Sequence, residues 1–490
     1  MTPPSVAARR SVTSFRHRNY RLFFTGQTIS LIGTWMQQVA QGWLVLQVSG
    51  GNPLWLGIVA AAQFVPVMIL GLFAGVLADV LPKRQTLLVV QVVMMSLAIV
   101  LAVLTATGLA NVWIIVMLAI LLGCANAVDM PVRQSFAIEM VGPRDVANAV
   151  SINSAMFNGA RVVGPAVAGL TIAAFGIALA FALNALSFLA VIVALALIDD
   201  EALHTPRLLP RPRSLADVRV NLVEGLRFVW HTPIVLMSIT VVFLIATFGM
   251  NFSVILPPLA QDILHSDAAG FGFLMTASGL GALGTAVGLV VAGKPRPSRI
   301  AVGAIVLGIA TLALAGSTSF PVSLLLMVPI GAGGIAMAAT ANATIQLNVP
   351  DGLRGRVMSV YTTVFAASVP IGGLAAGALA STIGVLQTLA VGGVLSLATG
   401  IGALVWWRRI QAATAATTAT AATAATVAAG ESLPGQVSVG GFRDGCRPST
   451  APRAISPNRI RRASSVDTHR QVSVEPSGSS RSSPPTIRTS

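Results

Sequence analysis

Charge is scarce in this chain: Asp, Glu, Lys and Arg together make up 10% of 490 residues, against about 25% in a soluble globular domain. Lysine is nearly missing, with only Lys83 and Lys294, and acidic residues number 16 against 31 basic ones. The two cysteines are Cys124, inside an apolar run, and Cys446, in a polar tail. A disulfide framework and a cysteine zinc site are thereby excluded. No phosphate-binding G-x-x-x-x-G-K-[ST] loop, H-E-x-x-H pair or Cys/His cluster occurs. ATP-driven transport and metalloenzyme chemistry lose support, and no cofactor is expected.

What is present is apolar. Hydrophobic residues account for 54% of the chain and the mean hydropathy is +0.81, so lipid is the expected solvent. Uncharged runs of about 20 residues, the length that crosses a hydrocarbon layer as a helix, recur up to residue 407. They place spans near 22–48, 54–78, 86–108, 111–130, 147–174 and 176–198, then 233–256, 270–292, 299–316, 322–347, 357–381 and 383–407. The first run is too long for a cleavable signal and has no A-x-A exit, so it is read as a retained helix.

The cations fix the expected orientation. Lys and Arg fall before helix 1, after helices 2, 4, 6, 8 and 10, and beyond residue 407, whereas the alternate loops contain none. Cytoplasmic loops keep positive charge, so twelve spans are expected in the cell (inner) membrane with both termini cytoplasmic. The net charge of +15 thus has a topological cause, and no nucleic-acid partner is expected. The expected organisation is an N-terminal segment (1–20), a six-helix bundle (21–198), a charged linker with a short amphipathic helix near 215–230 (199–232), a second six-helix bundle (233–407) and a disordered tail (408–490).

The two sixes carry a weak repeat. At a constant offset of 208 residues, Val141, Ser151, Phe157 and Gly169 fall on Val349, Ser359, Phe365 and Gly377. Helices 4 and 5 would then correspond to 10 and 11, as in transporters built from parallel repeats with a binding site near the midplane.

Several motifs sharpen this. Gly71 to Arg84 reads G-L-F-A-G-V-L-A-D-V-L-P-K-R and resembles the loop signature of the major facilitator superfamily. Gly75, Asp79, Lys83 and Arg84 match, while Val80 and Pro82 depart from it. A glycine lets helices approach, and a carboxylate with nearby cations can latch the halves; the plainer reading is a snorkelling cluster that marks topology. Gly164, Pro165 and Gly169 in A-R-V-V-G-P-A-V-A-G resemble the superfamily's exporter motif. With F-R-H-R-N-Y-R-L-F-F-T-G-Q (15–27) and M-P-V-R-Q-S-F (130–136), the chain resembles the enterobactin-exporter-like branch, the transmembrane secretion effectors, over about 15–407. Gly279, Gly281 and Gly284 form a G-x-G-x-x-G match, but inside an apolar run with no preceding strand, which reads as helix packing.

The resemblance implies an all-α membrane protein, two six-helix bundles of the major facilitator fold, working as a monomer without enzymatic activity. It implies proton-coupled export of a small amphipathic molecule, a siderophore, natural product or drug, by alternating access. A nutrient importer of the same fold and a non-transporting receptor or scaffold are the alternatives. In helix 1, Gln27, Ser30, Thr34, Gln37 and Gln41 share one face at spacings of 3 and 4; they face either a water-filled cavity or another helix. The resembled fold lines its cavity with helices 1, 4, 7 and 10, which adds Asn126, Asn251 and Asn342 as substrate-binding candidates. Asp129 is the proton-coupling candidate on resemblance. Arg161 alone among the 31 basic residues lies mid-helix, where a charge costs at least ~2.5 kcal/mol and needs a partner. Asp129, carbonyls freed by Pro165, or an anionic or polar group of the substrate are the three candidates.

Overall fold

The computed structural model describes residues 13–204, 215–293 and 295–430, and within these the side chains of 72–80, 215–222, 421–422 and 424–430 are not described. Every regular element among the described residues is helical. The first three long helices are α1 (Arg18–Val48), α2 (Pro53–Val80) and α3 (Lys83–Ala106). The stretch Val112–Phe175 is helical except at Gly142, whose φ of 69° and ψ of 170° turn the chain and separate α4 (112–141) from α5 (143–175). A side chain would be strained at that φ, and Pro143 follows, where a helix start tolerates the missing N–H. Next come α6 (Ile177–Ala196), a linker helix (Leu215–His231) and α7 (Pro233–Ile263), which is interrupted between Phe248 and Phe252. The chain ends its helical course with α8 (Ala268–Val291), α9 (Ser298–Ala315), α10 (Phe320–Asn348), α11 (Asp351–Ile383) and α12 (Val385–Gly430).

Ten helical stretches among the described residues are long and apolar enough to cross a membrane. One of them, Val112–Phe175, holds two crossings, and α1, made less apolar by its glutamines, spans 31 residues, about 46 Å. The expected twelve crossings are therefore all accounted for. One expectation fails: the Ala/Thr run after residue 411 is not disordered but continues α12 to Gly430. Alanine is the strongest helix former, and Thr414, Thr417, Thr418, Thr420 and Thr423 return their hydroxyls to the carbonyl four residues back at 2.9–3.0 Å. The tail beyond 430 and the Pro206, Pro210 and Pro212 stretch of the linker lie outside the described residues.

Helices α1 to α6 pack on one another, α7 to α12 likewise, and two long seams join the sets, α2 against α11 and α5 against α8. The seams have the same construction. A Cβ on Gly272 of α8 would lie 2.5 Å from the carbonyl oxygen of Pro165 on α5, and one on Gly57 of α2 would collide with the carbonyl of Gly373 on α11. Gly169 meets Ala269 on the first seam and Gly377 meets Pro53 and Leu54 on the second, at 2.9 to 3.2 Å. Positions 165 and 373, and 169 and 377, both obey the 208-residue offset, so four scattered identities in the sequence mark a true structural repeat.

The core is divided unevenly along the molecule. At the end carrying the Lys/Arg-free loops, one buried cluster runs through both bundles, from Met36, Leu44 and Leu46 on α1 through Phe271 on α8 to Met327 and Leu389 on α10 and α12. At the basic end there are two. Tyr20, Phe23, Phe136 and Phe188 belong to a cluster in the first bundle, and Val229, Met237, Met337 and Tyr361 to one in the second. Among the described residues, the bundles are thus closed on each other at the Lys/Arg-free end and keep separate cores at the other.

Candidate functional site

Arg161 stands on α5 at the seam with α8. Its guanidinium lies over the Trp35 ring of α1, 5.8 Å from the centroid, and Trp35 meets Phe157 edge-on at 5.5 Å. Gly164, one turn on, makes this approach fit: its Cα faces Ile32 and the base of Trp35, so α1 and α5 touch backbone to side chain. Pro165 has no N–H, and the carbonyl this releases four residues earlier is that of Arg161 itself. That oxygen faces Gly279, whose Cβ would stand 3.1 Å away, and the next carbonyl, of Val162, accepts a 3.2 Å hydrogen bond from Thr276 Oγ1 across the seam. The G-x-G-x-x-G stretch is thereby helix packing, with Gly279 against α5 and Gly281 against Val328 of α10.

Among the described residues, no carboxylate pairs with Arg161. Asp129, a candidate partner from the sequence, is buried between α3 and α4, where it pairs with Arg133 and accepts a 2.8 Å hydrogen bond from Gln91 Nε2. The carbonyls freed by Pro165 belong to the seam and not to the guanidinium. The partner that the structure gives the guanidinium among the described residues is the Trp35 ring.

The polar face of α1 splits. Gln37 accepts from Asn184 Nδ2 of α6, and Gln27 and Ser30 are buried on adjoining positions. Gln37 and Gln41 line a cavity of about 10 Å³ inside the first bundle with Leu97 and Leu118. Asn251, at the break of α7, donates to Thr247 O at 2.6 Å and lines a cavity of about 20 Å³ inside the second bundle with Thr311 and Thr388. Each space holds about one water molecule, far less than an organic solute. Gln37 thus joins α1 to α6, whereas Asn251 bonds within its own helix. Thr34 is exposed and bonds back to Ser30 O at 2.9 Å. Asn126 donates to Leu122 O at 3.0 Å, and Asn342 accepts from Gln346.

Polar side chains that face outward on a membrane helix need water. Ser151 and Ser154 of α5 and, at the matching positions, Ser359 and Thr362 of α11 are exposed. Phe157 and Phe365, also matched, are 48% and 40% exposed. The matching positions put these exposed residues on corresponding faces of α5 and α11. Sequence reading missed Trp35 and Phe157 as the companions of Arg161; their signal was present, since Trp35 is the nearest aromatic on the side of α1 next to the polar stripe.

At the basic end, Lys83 pairs with Glu139 of α4, while Arg84 binds Asp200 and caps α6 by donating to Leu195 O and Ala196 O, both at 2.8 Å. Arg356 of α11 pairs with Glu224 of the linker helix. None of the ion pairs among the described residues runs from one bundle to the other. Gly75 and Asp79 lie on α2, but their surroundings are outside the described side chains. His17 sits 3.1 Å from Asp145 at the start of α5 and, as its hydrogen-bond partner, holds that carboxyl below its usual range.

Comparison with known proteins agrees with this geometry. The profile of the transmembrane secretion effector family matches residues 10–430. The multidrug efflux pump Tap of Mycolicibacterium fortuitum is 31% identical over 71% of this chain and 86% of its own. The staphyloferrin A transporter of Staphylococcus aureus is 25% identical over 77% and 93%. Among solved structures, the peptide transporter POT superposes with a TM-score of 0.64 at 16% identity, covering 80% of this chain and 94% of that one. A bacterial homologue of the lysosomal transporter Spinster, inward-facing and unoccupied, gives 0.59 at 12% identity, covering 80% and 95%. Such identities establish the fold alone, whereas the profile and the efflux pump establish the family. A helical membrane chain with two like seams between its bundles and these relatives is a transporter and not an enzyme, and it belongs to the transmembrane secretion effector family of the major facilitator superfamily.

Proposed function

We propose that the chain exports a small amphipathic organic molecule, of the drug or siderophore kind, by alternating access. The observation that carries this reading is the uneven core, shared by both bundles at one end and divided at the other. Positive loops mark that end as cytoplasmic, so the conformation is one that loads from inside. The name of one relative, a multidrug efflux pump, supports the outward direction, and that of another, the staphyloferrin A transporter, supports a small organic cargo. Comparing intracellular and extracellular metabolites in deletion and overexpression strains tests it: an exporter raises its cargo inside on deletion and outside on overexpression. The opposite pattern would mean import, and no change in any solute would mean a receptor or scaffold.

A proton gradient is the proposed drive, with Asp129 as carrier. Protonation would release Arg133 and leave Gln91 to be re-bonded, which loosens α3 from α4. Asp129→Asn in proteoliposomes is expected to remove pH-gradient-driven efflux, by at least about tenfold, with substrate binding retained. Efflux that still follows the pH gradient in this variant would remove Asp129 from coupling. Gly75, Asp79, Lys83 and Arg84 keep their proposed part as the latch at the cytoplasmic end, to be formed when that end closes.

A further inference from the structure

We infer that the substrates of this transporter are organic anions carrying a flat apolar body, and that the site at Arg161 rejects organic cations. This rests on the export reading above and narrows its cargo. Four observations lead to it. First, the guanidinium has no acidic or hydrogen-bond partner among the described residues, so its charge is left for a ligand to neutralise. Second, Trp35 lies under the guanidinium. A cation–π contact occupies none of the N–H groups, which stay able to receive a carboxylate through two parallel bonds. Third, Phe157 stands edge-on to Trp35 and is 48% exposed, which offers an apolar wall directly beside the charge. Fourth, the repeat shows that the cation is not needed for the seam. At the 208-residue offset, Arg161 corresponds to Val369 of α11, and the second seam packs in the same way without a charge.

The nearest buried acid, Asp129, is already paired with Arg133, so it does not soften the field at Arg161. A monocation held against the same aromatic wall, about 5 Å from the guanidinium, would bind at least about tenfold more weakly than its anionic counterpart even at the dielectric constant of water. The preference is set by the protein and does not depend on the coupling ion.

The test uses the purified full chain in detergent and reads the thermal unfolding midpoint. Salicylate serves as the aromatic anion, benzyltrimethylammonium as the aromatic cation, benzyl alcohol as the neutral ring and sodium sulfate as an anion without a ring. Salicylate is expected to raise the midpoint in a saturable manner, with the other three at least tenfold weaker. Arg161→Gln should abolish the salicylate shift, Arg161→Lys should weaken it about tenfold, since a point charge lacks the planar fork, and Trp35→Phe should fall between. Should Arg161→Gln not fold, Arg161→Lys and Trp35→Phe still carry the comparison. An equal or larger shift with the cation, an equal shift with sulfate, or a salicylate shift that survives in all three variants would overturn the inference. Export seen in cells together with any of these results would leave the export reading standing and refute only the anionic cargo. Salicylate binding through Arg161 without any change in cellular solutes would refute export instead.

Discussion

Arg161→Gln is expected to reduce efflux to about 1% of the wild-type rate or less at matched membrane abundance. Removing one partner of a desolvated, hydrogen-bonded charge pair costs roughly 2 to 5 kcal/mol, and each 1.4 kcal/mol is tenfold. Among the described residues the guanidinium meets the Trp35 ring and no carboxylate, so insertion and packing should survive its neutralisation. Arg161→Lys keeps the charge and loses the fork, and should recover a minor fraction of transport. Efflux measured in cells, with surface-exposed protein quantified in parallel, settles the case. Near-normal efflux in Arg161→Gln would remove the residue from the mechanism, and loss of folded protein in both variants would make it a packing residue.

The second large effect is expected at the seams. Gly57→Leu places a side chain where the Gly373 backbone now sits, and Gly272→Leu does the same against Pro165. Overpacking costs about 1 to 3 kcal/mol, which in a soluble core is only a loss of stability. Here the halves can escape the clash by parting. Two conformations a few kcal/mol apart respond to such a penalty with a shift of about 10- to 100-fold in population. Either variant should therefore favour the state open at the Lys/Arg-free end and slow transport by at least about tenfold. A single cysteine introduced at exposed Thr107 and labelled from outside would serve as reference, and one at the buried position of Leu46 would report opening. Gly284→Leu, where a Cβ meets nothing within 4 Å, is the control and should transport normally. Unchanged labelling in both seam variants would mean that the seams do not set the conformation.

Much of this was legible in the sequence, for identifiable reasons. Hydropathy gave the spans because length and apolarity are local properties, whereas the Gly-Pro step at 142–143, which makes the corner between α4 and α5, was not read from the sequence. Even the repeat was visible, since Gly169 and Gly377 must be small wherever two helices touch. Partners were another matter. The spacing of Asp129 and Arg133, one helical turn, was available and would have predicted their pairing. The partner of Gln37 was harder to find: Asn184 is a lone amide in an apolar helix 147 residues away. Periodicity tells which residues share a face but not which neighbour that face meets. The polar stripe of α1 was therefore legible as a stripe, while its contact with α6 depended on packing. The helix through the Ala/Thr run was missed because low complexity was given more weight than the helix propensity of alanine.

The single core at the Lys/Arg-free end has a further consequence. It must be parted whenever that end opens, and parting it wets apolar surface that is otherwise dry. Exposing such surface raises the heat capacity, so the free energy of switching bends with temperature in a way that neither cargo nor gradient controls. Apolar closure weakens on cooling, and a chilled cell would hold the same protein with its Lys/Arg-free end more often ajar.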